Sequence, residues 1–122
     1  IDEGARHDAT MIARTVRRRE PIVRALQNFF DDHDLLIAPA APVTAWPWDS
    51  VPKMIGGQPV GPRGHAAFTP LFNYCGVPAC AVPAGRVRGL PVGLQVAGRR
   101  FDDALVMRAA AHIERMLSAG RR

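Results

Sequence analysis

Few residues of this 122-residue chain could perform covalent catalysis. It contains two serines, Ser50 and Ser118, and a single lysine, Lys53, whereas the other fifteen basic residues are all arginine. Ser50 and Lys53 have the S-x-x-K spacing with which a helix places a lysine one turn from a serine nucleophile. Pro52 interrupts that tetrapeptide and glycines follow it, so we interpret the match as a coincidence within a loop. A serine–lysine mechanism would need residues from elsewhere.

Cysteine and histidine, the other common nucleophiles and metal ligands, show no pattern typical of a site. Cys75 and Cys80 do not have the spacing of a zinc knuckle, and Cys80 lies in an apolar segment that we predict to be a buried strand. Two cysteines are too few for a disulfide framework, which favours a cytoplasmic location. The glycine-rich segment 56–61 lacks the Lys-Ser/Thr of a phosphate-binding loop. We predict no metal and no cofactor, because the four histidines are also scattered: His7, His33, His65 and His112.

The composition is that of an ordinary globular protein, with 48% apolar and 22% charged residues, which excludes a disordered tail. The net charge of +5 is concentrated in arginines between residues 14 and 24. Acidic residues dilute that cluster and no aromatic residues are interleaved with it, so nucleic-acid binding is not favoured. No apolar run approaches the roughly 18 residues of a membrane span, and no secretory leader is visible. The chain begins at Ile1 rather than Met, which leaves an upstream N-terminus open.

The spacing of apolar residues predicts helix over residues 4–32, divided into two segments by Pro21. A first stripe is followed by a wider one: Ala5, Ala9, Ile12, Ala13 and Val16, then Ile22, Val23, Leu26, Phe29 and Phe30.

The rest of the chain alternates short apolar runs with turns. We predict buried strands at 35–38, 79–83 and 90–97, a helix at 66–75 that Gly76 stops, and a polar turn at 85–89. A last helix, capped by Asp102 or Asp103, has a stripe made by Leu105, Ala109, Ile113 and Met116. The Pro/Gly-rich segment 40–64 is predicted to be a loop that forms a lid or a pocket wall. This order of elements indicates an α/β fold with helices around a small mixed sheet.

Several motifs occur in a fixed order along the second half of the chain. They are FTPLFNYCGVPA at 68–79, VPAG at 82–85, GLPVGLQV at 89–96 and RFDD at 100–103, preceded by FFDDHDLLIAP at 29–39 and PV at 42–43. Together they resemble the C-terminal end of the amidase signature family. The resemblance covers nearly the whole chain and divides it into a helical pair at 1–33, a strand and loop at 34–64, and a helix-strand-strand-helix unit at 65–122.

The resemblance implies an enzyme that hydrolyses or transfers amides through a serine nucleophile, which a lysine activates through a second serine on a cis peptide. In the family these residues precede the matched region. We therefore expect no catalytic residue in this chain, which would supply scaffold and part of the substrate pocket and would be inactive alone. The implied partners are the N-terminal catalytic part of the same amidase and a small amide substrate, with no membrane or nucleic acid; a homo-oligomer is left open.

The resemblance assigns pocket lining to Trp46, Ala66 and Thr69. Glutamine-using, tRNA-dependent members carry an acidic residue three positions before the motif threonine, where this chain has Ala66. Together with Trp46 and Trp48, this difference favours an apolar or aromatic amide over glutamine. Two alternatives remain open: a stand-alone interaction or assembly module derived from the amidase fold, and the tail of the A-type polypeptide of a tRNA-dependent amidotransferase.

Other motif residues are expected to hold the structure together. Gln95 lies within an apolar strand and, if buried, needs hydrogen-bond partners. Thr69 and Asn73 are one helical turn apart and could satisfy backbone groups of neighbouring loops. The residues expected to have structural roles are Asn73, Gly76, Pro78, Gly85, Gly89, Gly93 and Gln95.

Overall fold

The structure, a computed structural model, describes residue 4 and residues 7–119. Three helices, a three-stranded sheet and a small hairpin follow one another, with a 3-10 turn at Gly64–Ala66. In chain order the elements are α1 (Ala9–Asp32), β1 (Leu35–Pro39), β2 (Met54–Ile55), β3 (Gln58–Pro59), α2 (Pro70–Cys75), β4 (Ala79–Val87), β5 (Leu90–Gly98) and α3 (Asp103–Ala119).

The N-terminal helix α1 is continuous, so the predicted division into two helices at Pro21 was wrong. The helix begins where the carboxylate of Asp8 accepts a hydrogen bond from the Met11 N–H at 2.6 Å. Proline removes only one donor from the helical ladder, and the carbonyl that loses its partner, that of Arg17, lies in an exposed part of the helix where water can bind it. Ala5, the first residue of the predicted stripe, lies outside the described residues.

The main sheet has the order β1-β5-β4, and both pairings are antiparallel. The α/β class is as predicted, but the pairing among the described strands is not mixed. The strands β4 and β5 pair antiparallel because a tight turn at Arg88 and Gly89, with φ of 51° and 81°, joins them directly. The predicted five-residue turn at 85–89 was therefore too long, since β4 continues to Val87 past a bulge between Pro83 and Gly85.

Both outer edges of this sheet carry a proline that faces outward. Gly93 O accepts from the Ala40 N–H at 2.9 Å, and Pro78 O accepts from the Gly98 N–H at 3.2 Å. Because inward and outward backbone groups alternate along an antiparallel strand, Pro39 in β1 and Pro83 in β4 fall at outward positions. A proline has no N–H to donate, so each edge lacks a donor at that point.

Helices α1 and α3 cover opposite faces of the sheet. Leu36 packs against the cluster that α1 forms with Leu26 and Phe30. Its neighbour Leu35, which points to the other face, lies with Gly98 against α3. The core is thus built on both sides of β5, whose Val96 and Ala97 have no exposed surface.

The last helix packs through Val106 and Ala110, which are both 2% exposed. The predicted stripe was displaced by one residue: Leu105, Ala109 and Ile113 are half-buried and Met116 is exposed. Gly98 explains the shift, because the absence of its side chain leaves room for Val106. The helix begins at Asp103, and the Asp102 carbonyl accepts from the Val106 N–H at 3.1 Å, so Asp102 occupies one of the two predicted cap positions.

Two further elements differ from the sequence predictions. The loop at 40–64 contains the hairpin β2–β3, which turns at Gly56 and Gly57 with φ of 57° and 77°. The helix predicted at 66–75 is reduced to the 3-10 turn and the six residues of α2. Pro70 causes this interruption, because it cannot donate to a preceding carbonyl and is tolerated only in the first turn.

Substituting Gly98→Ala should destabilise the fold, because the new Cβ would lie 2.6 Å from Val106 Cγ2. We expect a loss of about 1–3 kcal/mol in the free energy of unfolding, measured by urea denaturation. The control is Gly61→Ala, where a Cβ meets nothing within 4 Å. Equal stability of the two variants would contradict this packing of α3 on β5.

Candidate functional site: a wall of a substrate pocket

The loop at 40–64 folds back so that Trp46 meets the 3-10 turn. The Trp46 and His65 ring centroids are 5.0 Å apart, with the ring planes tilted by 48°. Ala66, the next residue of the turn, is half-buried, as is Trp46. Two of the three predicted pocket residues therefore lie in one region, joined by His65. Trp48, in contrast, is 96% exposed and makes no comparable contact.

Sequence reasoning missed His65, which it treated only as one of four scattered histidines. A histidine next to a predicted pocket residue, on a segment rich in turns, is the one local signal that pointed to it. The ring contact joins segments almost twenty positions apart, so periodicity could not have shown it.

Short backbone bonds hold the turn that carries His65. The Val60 N–H donates to Lys53 O at 2.9 Å and closes the β2–β3 hairpin, and the Gly64 N–H donates to Gly61 O at 2.9 Å. A Cβ on Gly64 would lie 2.5 Å from that of Val60, so only glycine permits this close approach. The hairpin and the turn are thereby packed together.

The start of the same loop is fixed to β5. Gln95 is 4% exposed and donates from Nε2 to Pro39 O at 2.9 Å, so its predicted burial with a hydrogen-bond partner is confirmed. The next residue, Ala40, donates to Gly93 O, and its Cβ would lie 3.4 Å from a Cβ on Gly93. A buried polar side chain whose partner is a backbone carbonyl sets where the loop leaves the sheet.

An apolar groove of about 540 Å³ runs beside this point of departure. It is formed by the end of β1, the segment that follows it, and the β4–β5 hairpin. Thr44 is the one polar side chain in its lining, which otherwise consists of Ile37, Ala38, Pro39, Ala41, Pro42, Val43, Ala84, Val87, Val92, Gly93 and Leu94.

Thr69, the third predicted pocket residue, is exposed immediately before α2 and forms no side-chain cap to that helix. Asn73 is also exposed, and its carbonyl accepts from the Gly76 N–H at 3.3 Å. Gly76 ends α2 with φ of 67°, which confirms it as the left-handed stop. The Gly76 N–H also donates to Phe72 O at 2.9 Å, and the Pro78 carbonyl bonds to β5.

The serine and lysine of the S-x-x-K match are exposed and lie outside any helix. The Ser50 N–H donates to Pro47 O at 3.1 Å, and Lys53 precedes the hairpin. Without a helical turn to stack lysine above serine, the spacing has no catalytic meaning here, which agrees with the interpretation from sequence.

Cys75 is a core residue that packs with Leu26 and Phe30. Burial raises the pKa of its thiol above the ordinary value of 9.0, and the nearby Arg19 guanidinium opposes this rise. Cys80 is half-buried rather than fully buried as predicted, because it lies on β4 at the edge of the sheet. Neither thiol is placed as an activated nucleophile, which needs an exposed, low-pKa environment.

Within the part of the chain that the structure describes, no three histidine, cysteine or acidic side chains are grouped closely enough to bind a metal. The helices in that part are also too short or too polar to cross a membrane.

Comparison with known proteins identifies the family. The Amidase family model matches residues 2–107, and the chain belongs to the amidase signature family. Among curated relatives, the A-type polypeptide of the glutamyl-tRNA(Gln) amidotransferase from Latilactobacillus sakei is 38% identical over 79% of this chain. Its counterpart from Exiguobacterium sibiricum is 42% identical over 68% of the chain. The matched stretches amount to 19% and 16% of these relatives, so the chain spans about a fifth of their length.

Solved structures agree with the family assignment. A bacterial aryl acylamidase of the amidase signature family superposes on all of this chain with a TM-score of 0.80 and 31% identity, and the match covers 28% of that enzyme. An amidase superposes on 93% of the chain with a TM-score of 0.87 at 28% identity. The A-type polypeptide of the Thermotoga maritima glutamyl-tRNA(Gln) amidotransferase matches 81% of the chain with a TM-score of 0.65.

The burial of Cys75 gives a prediction about thiol reactivity. In a Cys80→Ser variant, we expect iodoacetamide to alkylate Cys75 about 100-fold more slowly in native buffer than in urea, because the thiol must first be exposed. The control is Cys75→Ser, in which half-buried Cys80 should be protected far less. Similar native and unfolded rates for Cys75 would show that it is accessible.

The same thiol should make stability depend on pH. The folded pKa lies above the unfolded one, so the folded state retains a proton that the unfolded chain releases above about pH 9. The contribution of Cys75 to stability is thus fully present below pH 9 and declines as the pH rises. Urea unfolding at pH 8 and pH 10 should show a larger decline for the native sequence than for Cys75→Ala. Equal declines would contradict it.

Proposed function

We propose that this chain is the C-terminal portion of an amidase-signature amide hydrolase. The observation that carries the proposal is the full-length superposition on an aryl acylamidase of which the chain makes up about a quarter. The whole enzyme would break the C–N bond of an amide with addition of water. In the family a serine, a second serine and a lysine perform this reaction, and the exposed, non-helical Ser50 and Lys53 do not resemble that arrangement.

The role of this chain in the proposed enzyme is to supply scaffold and one wall of the substrate pocket. Trp46 packed on His65 offers an aromatic surface, and Ala66 lies beside it in the same turn. Thr69 contributes an exposed hydroxyl at the start of α2. The β5 anchor at Gln95 keeps the loop that carries Trp46 in position.

The proposed substrate is an apolar or aromatic amide. An aromatic side chain at 46, an alanine at 66 and an almost entirely apolar groove favour a substrate without charge. The likeness to an aryl acylamidase supports the same class. The second candidate is the A-type polypeptide of a tRNA-dependent amidotransferase, favoured by the named relatives at 38% and 42% identity.

The proposed partner is the N-terminal catalytic part of the same amidase, and the proposed location is the cytoplasm. Both cysteines are free, which is consistent with a reducing compartment.

The isolated 122-residue chain should not hydrolyse amides. We expect no release of aniline from anilides and no release of ammonia from glutamine, whereas the protein encoded by the complete reading frame should hydrolyse an anilide. Hydrolysis by the purified chain that disappears in a Lys53→Ala variant would overturn the assignment of catalysis to another part of the enzyme.

Within the complete protein, Trp46→Ala should weaken binding of an aromatic amide by removing a stacking surface worth about 1–1.5 kcal/mol. We expect an increase in KM of about tenfold, since each 1.4 kcal/mol is a factor of ten. The matched control is Trp48→Ala, which removes the same ring from a fully exposed position. Faster turnover of glutamine than of anilides would favour the tRNA-dependent amidotransferase instead.

A further inference from the structure

The apolar stripe of α1 is longer than the core that covers it. Val23, Leu26 and Phe30 follow one helical face, and Leu26 and Phe30 are 8% and 2% exposed. Ile12 and Val16 continue the same face toward the N-terminus, because their spacing from Val23 is close to a whole number of helical turns. Yet these two side chains are 56% and 63% exposed. We call Ile12 and Val16 the outer stripe.

The boundary between the covered and the uncovered part lies at Arg19. Its Nε donates to Tyr74 O at 2.6 Å, and its guanidinium lies 5.8 Å from the centre of the Tyr74 ring. This contact ties α1 to the end of α2, whose Cys75 helps cover Leu26. N-terminal to Arg19, every described residue of the helix is exposed.

The outer half of α1 belongs to the family fold. The aryl acylamidase superposes on the whole of this chain, α1 included, and it has more than three times as many residues as the match. Full burial of an isoleucine or valine side chain is worth about 1.5–3 kcal/mol, so an exposed stripe in a shared helix needs a covering surface.

A second copy of the chain fits this face poorly. A stable dimer buries about 800 Å² on each partner, far more than two side chains provide. An isologous contact would also bring Arg19, at the end of the outer stripe, and the neighbouring Arg17 near the same residues of the other copy. Like charges placed together at an interface oppose association.

We propose that the outer stripe is the docking site for the remaining part of the amidase domain, which covers Ile12 and Val16 with an apolar surface next to Tyr74. This inference rests on the proposed function, because it takes the occupant to be the rest of that enzyme. It adds the face through which this chain is held, and it makes the exposed half of α1 a structural contact rather than a solvated arm.

The test compares two double variants of the complete protein. Ile12→Gln with Val16→Gln places two glutamines on the outer stripe, and Arg14→Gln with Arg18→Gln places two on the opposite face of the same helix. We expect the first pair to lower the melting temperature by several degrees and the second to change it by about 1 °C or less. If the first pair prevents folding, Val16→Ala should give a smaller decrease in the same direction.

Three results would overturn the inference. One is an unchanged melting temperature for the outer-stripe variants of the complete protein. Another is a dimer of the 122-residue chain, seen by sedimentation, that Ile12→Gln dissociates, since this would make a second copy the occupant. The third is a reading frame without further residues. The readout does not depend on hydrolysis, so an inactive protein with a lowered melting temperature would support docking and reject only the amidase activity.

Discussion

The enclosure of β5 on both edges and both faces is the constraint on which the rest of the structure depends. It pairs with β1 on one side and β4 on the other, while α1 and α3 cover its two faces. Val96 and Ala97 are consequently sealed from solvent. Their neighbour Gln95 is polar, yet it is satisfied by a carbonyl of the adjacent strand rather than by water. Every element that bears on the candidate site is attached to this strand directly or through one neighbour.

The division between rigid scaffold and pocket follows from that arrangement. The segment that carries Trp46 leaves the sheet where Gln95 and Gly93 hold Pro39 and Ala40, and the polypeptide then folds by means of glycine turns and short backbone bonds. Loops positioned by a rigid sheet are where binding residues concentrate, because their sequence can vary without cost to the core. The mostly apolar groove beside β1 has the same origin, since it lies between the strand end and the loop.

Sequence reasoning succeeded where one residue has one physical requirement. Gly76 had to end a helix, Gln95 had to find a partner if buried, and the motif order specified the family. It failed where neighbours decide the outcome. Whether Pro21 breaks a helix depends on the turns on either side, and the contact of Trp46 with His65 depends on how a long loop folds back. The antiparallel pairing also required knowledge that two residues suffice for the turn between β4 and β5.

The two kinds of connection within the sheet have a consequence for the order of folding. The strands β4 and β5 are joined by a tight turn and are followed at once by α3, so these elements can assemble by local encounters. Joining β1 requires closure of a long segment, since Pro39 and Gln95 are 56 positions apart. Closing such a loop costs entropy before any contact is gained, so distant pairings form late. During synthesis, α1 therefore leaves the ribosome before its partners and acquires them last, and its apolar face stays uncovered for most of the time that translation takes.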